Sequence, residues 1–299
     1  MSENSIPALH KILENLKKRD LKALFFITGH MAEKLYNFPI IVDLLNEHQI
    51  GYHTSSHSVH PTIFEFTDVK NYEEAYKTSL QRETAHINPL TGEVEGQGGI
   101  HALRNLFPTK QIVAFRAPGH CWSPPHLEAL KSLGISYDFS TNLSLQPISY
   151  KDLTFYPYPM IGHWQGTPSE YRLLLISLRH STTVLTIHPS LLVNQHEWDL
   201  IYWKSNPNRL SQPPARSHAE TVSLFHRFDL LLRQIRNLQK MHFIEVTPAL
   251  KKPKKTLSPT RIDAEKCYQT SMRWATKQKY KPKFLHYHFL KFFEINSAS

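Results

Sequence analysis

The feature of this sequence that most constrains its fold is a nearly continuous apolar run that ends at a glycine. Residues 21–28, LKALFFIT, directly precede Gly29. That length and that ending are typical of a strand buried on both faces of a parallel sheet. Between residues 9 and 16, leucine and isoleucine recur at the i, i+3, i+4, i+7 spacing of a helix with one buried face. The sequence therefore predicts a helix followed by a buried parallel strand.

The same alternation of strand and helix continues along the chain. Further strands are predicted at 50–52, 112–115, 135–139, 182–187 and 243–246. Helices are predicted at 31–47 with a break at Pro39, at 68–86 with Asp68 as the cap, and at 100–107, 124–133 and 218–240. The turn-rich segment 88–99 predicts an exposed loop. Strands that alternate with helices indicate parallel βα units, so we expect an α/β fold.

Polar side chains recur just past the ends of predicted strands, where parallel α/β proteins place their chemistry. His53 and His57 frame the motif HTSSH, and both imidazoles could bind one metal ion if this loop turns helically. The chain has 19 histidines, so two ordinary histidines are the alternative. Arg116 begins the motif RAPG after the next long strand, where it could orient a carboxylate or form a surface salt bridge.

A third motif, TIHP, places His188 after another predicted strand. A histidine there could donate a proton to a leaving group, and a capping or buried neutral histidine is the alternative. The order of the three motifs, each after a strand, is a stronger signal than any one of them. These observations predict that His53, His57, Arg116 and His188 converge on one pocket mouth.

In this order, HTSSH, RAPG and TIHP resemble the motifs of the NodB-homology polysaccharide deacetylases, which are also grouped as carbohydrate esterase family 4. That family carries an H-[ST]-x-x-H metal motif, then an R-x-P-type motif, then a late histidine. The segments KALFFITG and WSPPHLEALKSLGISYDFST are similar to the family as well. The resemblance covers residues 5–249.

The resemblance implies a distorted (β/α)7 barrel that removes acetyl groups from an N- or O-acetylated oligo- or polysaccharide. It implies a divalent metal cofactor, with zinc as the expected ion, held by His53 and His57. Arg116 would then orient the general base, and His188 would be the general acid. We expect the substrate to contact four further residues, for which core or turn positions are the alternative: Pro118, Gly119, Trp122 and Trp164.

The family's opening Thr-Phe-Asp-Asp motif is not found ahead of the first helix, where Glu3 is the sole carboxylate in residues 1–6. We therefore expect a barrel that lacks its first strand and has two metal ligands in place of three. Three explanations stay open: the motif lies upstream of Met1, the chain is a degenerate relative with weak or no activity, or another residue completes the site. The candidates for the last explanation are His60, His120 and His163.

Charge separates a nearly neutral body from a basic end, so the predicted domains are 1–249 and a basic extension at 250–299. Residues 251–299 contain 12 Lys/Arg and 3 Asp/Glu, which accounts for most of the net charge of +10. A neutral body argues against a basic nucleic-acid groove across the main domain. Two alternatives to catalysis remain: a catalytically inactive carbohydrate-binding relative, or a basic tail that binds nucleic acid or an anionic surface.

The sequence also predicts a location. No stretch approaches the ~20 apolar residues of a membrane span, and the N-terminus lacks the apolar core of a signal peptide. Cys121 and Cys267 are too few for a disulfide framework and are predicted to be free thiols in a reducing compartment. The expected location is the cytoplasm, although a segment upstream of Met1 could hold a targeting signal. The oligomeric state is not predicted.

Overall fold

The computed structural model describes most of the chain in nine ranges: 5–88, 91–141, 143–144, 146–157, 164–177, 184–196, 213–242, 255–283 and 286–293. The chain divides into two compact units, and each is described by itself. The first unit comprises residues 1–25, 37–49 and 159–251. The second unit comprises residues 26–36, 50–158 and 252–299.

The described helices and strands follow each other along the chain. The helices are α1 (Ser5–Lys18), α2 (Gly29–Leu35), α3 (Pro39–Asn46), α4 (Ile63–Phe66), α5 (Tyr72–Thr84), α6 (Ile100–Leu106), α7 (Pro124–Ser132), α8 (Pro168–Ser177), α9 (His218–His242), α10 (Arg261–Lys277) and α11 (His286–Lys291). The strands are β1 (Leu24–Ile27), β2 (Gln49–Tyr52), β3 (Ala85–Ile87), β4 (Val94–Gln97), β5 (Ala114–Phe115), β6 (Tyr137–Asp138), β7 (Ile148–Tyr150) and β8 (Leu153–Phe155).

The first unit is built around the apolar faces of α1 and α9. The predicted stripe of α1 is buried, and it shares a core with Trp164, Leu192 and the apolar side chains of α9. Arg19, just after α1, holds that end of α1 to the middle of α9: its Nε donates to Asp229 Oδ1 at 3.1 Å, and its Nη2 donates to Oδ1 at 2.6 Å and to Oδ2 at 2.9 Å. A bidentate arginine–carboxylate pair of this kind sets an orientation as well as a distance.

The main sheet has six strands in the order β1-β2-β5-β6-β8-β7. The pairs β2–β5, β5–β6 and β6–β8 are parallel, and β7 pairs antiparallel with β8 at one edge. This mostly parallel sheet with intervening helices confirms the α/β fold class. Closure into a (β/α)7 barrel and the loss of a first strand stay predictions.

Segment 88–99 is not the plain exposed loop that the turn residues predicted. Val94–Gln97 forms β4, which pairs antiparallel with β3 in a two-stranded sheet. All four residues of β4 are exposed, so the strand has no alternation of apolar and polar residues that could reveal it. Asn88 Oδ1 accepts a hydrogen bond from the Thr91 N–H at 3.2 Å, within the segment that joins the two strands.

Helix α5 also begins later than predicted. Its cap is Asn71, whose side chain accepts a hydrogen bond from the Glu74 N–H at 2.7 Å. The predicted cap was wrong because the Asp68 carboxylate instead accepts hydrogen bonds from Tyr280 Oη and, at 2.6 Å, from the Lys283 N–H. Asp68 therefore anchors the C-terminal segment.

The remaining predicted elements agree with the structure to different extents. The break in segment 31–47 separates α2 from α3 at Pro39. The predicted strand 243–246 and the first two residues of the strand at 182–187 lie outside the described residues, and residues 184–187 contain only an isolated bridge position at Leu185.

None of the described helices combines the length and the apolar character needed to cross a membrane.

The C-terminal segment forms two helices that cluster with the second unit. Thr260 caps α10 in a capping box with Asp263. Cys267 on α10 and Cys121 are both buried free thiols, as predicted. Burial raises the pKa of the Cys121 thiol to about 12 and raises the pKa of Cys267 as well. The domain boundary at 249/250 stays a prediction.

Candidate functional site

His53 lies directly after β2, at the carboxyl end of the sheet. Its N–H donates to the Ile27 carbonyl of the neighbouring strand at 3.0 Å. Its side-chain Nδ1 lies 2.5 Å from the Arg116 carbonyl oxygen. Because a carbonyl can only accept, Nδ1 carries the proton, and in the neutral ring Nε2 then holds a lone pair. A histidine that binds a metal is commonly oriented by a carbonyl in this way.

His57 lies beside His53. The two imidazole centroids are 4.9 Å apart, with the ring planes at 65°. His57 Nδ1 lies 2.6 Å from Ser58 Oγ, and the residue has φ 52°, in the left-handed region that non-glycine residues seldom adopt. The structure therefore brings together the two histidines of the HTSSH motif, in a loop with a strained backbone.

A buried carboxylate on α5 fixes the HTSSH loop through hydrogen bonds. Glu83 on α5 is 0 % exposed, and it accepts hydrogen bonds from Tyr52 Oη at 2.7 Å, from Thr54 Oγ1 at 2.9 Å and from His126 Nε2 at 2.9 Å. Burial, together with the charge of Glu83, raises the pKa of Tyr52 well above its usual range. Thr54 has φ 62°, a conformation that costs a β-branched residue free energy unless its surroundings fix it. Glu83 is therefore a positioning residue of the loop.

Arg116 follows β5 in the neighbouring strand position, and its N–H donates to the Tyr52 carbonyl at 3.1 Å. Its guanidinium is mostly buried, and Nη2 lies 3.4 Å from His120 Nε2. The fully buried Asp138 ends β6 and accepts a hydrogen bond from the Ser140 N–H at 2.6 Å. Burial raises the pKa of Asp138 to about 6, although the hydrogen bonds from the backbone and side chain of Ser140 and the charges of His126 and Arg116 act in the opposite direction. Sequence reasoning gave Asp138 no role.

The RAPG turn is fixed by neutral hydrogen bonds to Ser140. The Ala117 N–H donates to Ser140 Oγ at 2.7 Å, and His120 Nδ1 donates to the Ser140 carbonyl at 3.0 Å. Nε2 of His120 is therefore the acceptor that faces the Arg116 guanidinium. His120 is engaged within the turn at both nitrogens, which argues against its use as a third metal ligand.

The other two candidates for a third metal ligand were His60 and His163. His60 lies between Glu65, at 2.7 Å, and the Gln278 carbonyl, at 3.0 Å, so both of its ring nitrogens have partners. The hydrogen bond to Glu65 is the main reason that the pKa of His60 is raised. His163 lies outside the described residues.

The predicted general acid and one of the predicted substrate contacts belong to the first unit, which is described by itself. His188 and Trp164 belong to the first unit, where the His188 carbonyl accepts a hydrogen bond from the Leu191 N–H at 3.0 Å. Trp164 is 1 % exposed in the core of that unit. Trp122 is 2 % exposed and packs against aromatic rings that include Tyr150 and Phe155, which favours a core role for both indoles. The role of His188 stays a prediction.

The described residues supply two imidazoles that fit a divalent ion, but not a complete ligand set. Across the part of the chain that the structure describes, no group of three or more His, Cys, Asp or Glu side chains is placed to hold a metal ion. Catalytic zinc sites usually have three protein ligands. His53 and His57 are therefore a pair of candidate ligands.

Comparisons with known proteins agree with the motifs. A family model described as polysaccharide deacetylase matches residues 7–137, which include the HTSSH and RAPG motifs. A peptidoglycan-N-acetylglucosamine deacetylase of Bacillus cereus is 37% identical over 83 residues, which are 27% of this chain and 26% of that protein. The matched part thus spans about a quarter of the relative's length.

Two solved structures show a weaker similarity. A putative polysaccharide deacetylase from Mycobacterium smegmatis is 16% identical with a TM-score of 0.42, and the match covers 93% of this chain and 80% of that one. A 4-alpha-glucanotransferase from Thermococcus litoralis is 13% identical with a TM-score of 0.39, over 71% and 35% of the two chains. At these TM-scores neither similarity adds an argument. The family model, which spans the HTSSH and RAPG motifs, confirms that residues 7–137 are similar to the polysaccharide deacetylases.

Proposed function

We propose that this chain removes acetyl groups from an N-acetylated saccharide and that His53 and His57 are two of the ligands of a divalent ion, zinc in the first instance. The observation that carries the proposal is the pair of adjacent imidazoles, 4.9 Å apart, at the carboxyl end of the parallel sheet. The Arg116 carbonyl orients the first ring so that its Nε2 has a lone pair. A bound divalent ion would supply Lewis-acid polarisation of the acetyl carbonyl.

The protein's own residues prepare this site in two ways. Glu83 fixes the strained backbone at Thr54, so the HTSSH loop keeps one conformation. Arg116 places a guanidinium at the end of the adjacent strand, where it can hold a carboxylate or a developing negative charge. His188 as the general acid is part of the same proposal.

The substrate class is inferred from the matched relative, which is named for its action on peptidoglycan N-acetylglucosamine. Acetylated oligosaccharides of N-acetylglucosamine are therefore the first substrates to test, with an O-acetylated polysaccharide as the alternative. The two buried free thiols favour a reducing compartment such as the cytoplasm.

Acetate release tests the proposal. The wild-type chain, loaded with Zn²⁺ and incubated with N-acetylglucosamine oligomers, should release acetate, and chelation should abolish the release. His53→Ala and His57→Ala should each lose it. His10→Ala is the matched control, because His10 pairs with Glu14 on α1 in the first unit. Absence of acetate release from the wild type with both N- and O-acetylated substrates would contradict the proposal.

A second candidate function is carbohydrate binding without catalysis. It is favoured by the incomplete ligand set, since the described residues place only two metal-binding side chains together. In that case oligosaccharide binding, measured by calorimetry, should be the same in wild type and in His53→Ala. Loss of binding in this variant would favour the metal-dependent function.

A further inference from the structure

The C-terminal helix α10 contacts both motifs of the candidate site, although it lies outside the segment that matches the family model. The indole of Trp274 contacts the imidazole of His57 edge-on, with 5.9 Å between ring centroids and 75° between the planes. Trp274 is 7 % exposed, so its indole is packed inside the second unit and does not extend into solvent.

The RAPG turn is shaped to receive this indole. Gly119 has φ 60°, and a Cβ built there would lie 2.3 Å from Trp274 Cε3. No real Cβ contact is that short, so any residue other than glycine would displace the ring. The same indole thus lies against the turn after β5 and against the second histidine of the loop after β2.

Contacts on either side of Trp274 hold α10 in this position. At the C-terminal end of α10, the Gln278 carbonyl lies 3.0 Å from His60 Nε2. In the segment after the helix, the Lys283 N–H donates a hydrogen bond to Asp68 at 2.6 Å. One and a half turns before Trp274, the ring of Tyr268 contacts Phe64, with centroids 6.4 Å apart. The position of the indole is therefore set by the segment that carries HTSSH and by the residues that follow that motif.

We propose that Trp274 is a positioning residue of the candidate site and that it fixes the ring of His57 and the RAPG turn relative to each other. An edge-to-face contact restricts rotation of the imidazole and leaves its nitrogens available to a cation. A ligand held in one orientation binds a metal more tightly, because less conformational freedom is lost on binding. The inference rests on the proposed function, since it assigns a partner to one proposed ligand.

The test compares three variants in the full chain: Trp274→Ala, Trp274→Phe and Gln269→Ala. Calorimetry with Zn²⁺ alone should show an affinity about 10- to 100-fold weaker for Trp274→Ala, the range found when partners of metal ligands are removed. Trp274→Phe keeps an aromatic edge and should retain most of the affinity. Gln269→Ala removes an exposed side-chain hydrogen bond to Glu265 on the same helix and should match the wild type. Equal affinity in wild type and Trp274→Ala would overturn the inference.

A second readout needs no metal. Carbethoxylation of His57 by diethyl pyrocarbonate, followed by peptide mass spectrometry, should be faster in Trp274→Ala than in wild type and unchanged in Gln269→Ala. An unchanged rate at His57 in Trp274→Ala would show that the indole does not restrain this ring. If the wild type binds no Zn²⁺, the proposed function fails, and this readout still decides whether Trp274 restrains His57.

Discussion

Two turns at the carboxyl end of the same parallel sheet carry the candidate site, and they are held by different forces. The loop after β2 lies on a buried carboxylate, Glu83, which accepts hydrogen bonds from the side chains of Tyr52, Thr54 and His126. The turn after β5 is fixed by the neutral Ser140 and by packing of Trp274 against Gly119. The first turn thus depends on charge, and the second depends mainly on shape.

The difference teaches which perturbation each turn tolerates. Where a buried carboxylate binds several donors, removal of one partner strongly destabilises the protein, because the remaining polar groups stay buried without partners. A turn fixed by shape is sensitive to added volume and to the loss of single hydrogen bonds. The predictions that follow begin with the largest expected effect.

Glu83→Ala should destabilise the protein most. The substitution removes the buried carboxylate that Tyr52, Thr54 and His126 share, although Tyr52 Oη keeps the backbone carbonyl of residue 83 as an acceptor. Removing one partner of a buried ionic pair typically costs about 3–5 kcal/mol. Urea unfolding followed by circular dichroism measures the free energy of unfolding. Glu73→Ala is the matched control on the same helix, because Glu73 is exposed and pairs with Lys77 at the surface. A loss below ~1 kcal/mol in Glu83→Ala would contradict the dependence of this turn on charge.

Gly119→Ala should be the next largest effect, about 2–4 kcal/mol of unfolding free energy, from backbone strain at positive φ combined with overpacking. Gly134→Ala is the control, since Gly134 also has positive φ, but its Cβ would meet nothing closer than Arg104 Nη2 at 3.5 Å. Adding Trp274→Ala to Gly119→Ala should restore part of the loss. Equal losses of unfolding free energy in Gly119→Ala and Gly134→Ala would contradict the claim that packing of Trp274 against Gly119 fixes the turn after β5.

Asp138 should reveal its buried charge in the pH dependence of stability. Its folded pKa is raised to about 6 from 3.8, so the folded state binds this proton more tightly than the unfolded state. The resulting stabilisation is fully present below pH ~4 and is lost as the pH rises through about 6, by roughly 2–3 kcal/mol. Relative to wild type, Asp138→Asn should therefore gain unfolding free energy between pH 4 and pH 7. A difference that stays constant over this range would contradict the assignment.

Ser140→Ala should give the smallest effect, about 1–2 kcal/mol. It leaves the buried Ala117 N–H without its acceptor but removes no charge. Ser132→Ala is a suitable control, because Ser132 is exposed and its Oγ donates to the Ala129 carbonyl of its own helix at 2.8 Å. Thermal unfolding of both variants measures the difference. If Ser140→Ala lost as much unfolding free energy as Glu83→Ala, the two turns would not differ in the way described.

Much of the fold could be predicted from local patterns. The apolar run before Gly29, the break at Pro39 and the helix from Pro124 all follow from periodicity and turn chemistry acting within a few residues. Strand β4 could not be predicted, because its four residues include glycine and are exposed on both faces. Its pairing with β3 depends on the turn between the two strands and on no apolar alternation.

The site was predicted only where a motif marks it. HTSSH and RAPG identified the two turns, but Glu83 was missed, because a glutamate in a helix is usually a solvent-exposed residue. A signal was present, since Glu83 continues the buried stripe of Ala75 and Ser79 at intervals of four residues. Trp274 could not be paired with Gly119 from sequence, because nothing local encodes a contact between segments so far apart.

The most direct test of the central claim is Zn²⁺ binding, measured by calorimetry in wild type, His53→Ala, His57→Ala and the double variant. If the two imidazoles bind one ion, each single substitution should remove most of the affinity, and the double substitution should add little, because the two side chains act as a unit. Independent, additive losses in the two single variants, or unchanged affinity in either one, would contradict the claim that His53 and His57 form one metal-binding pair.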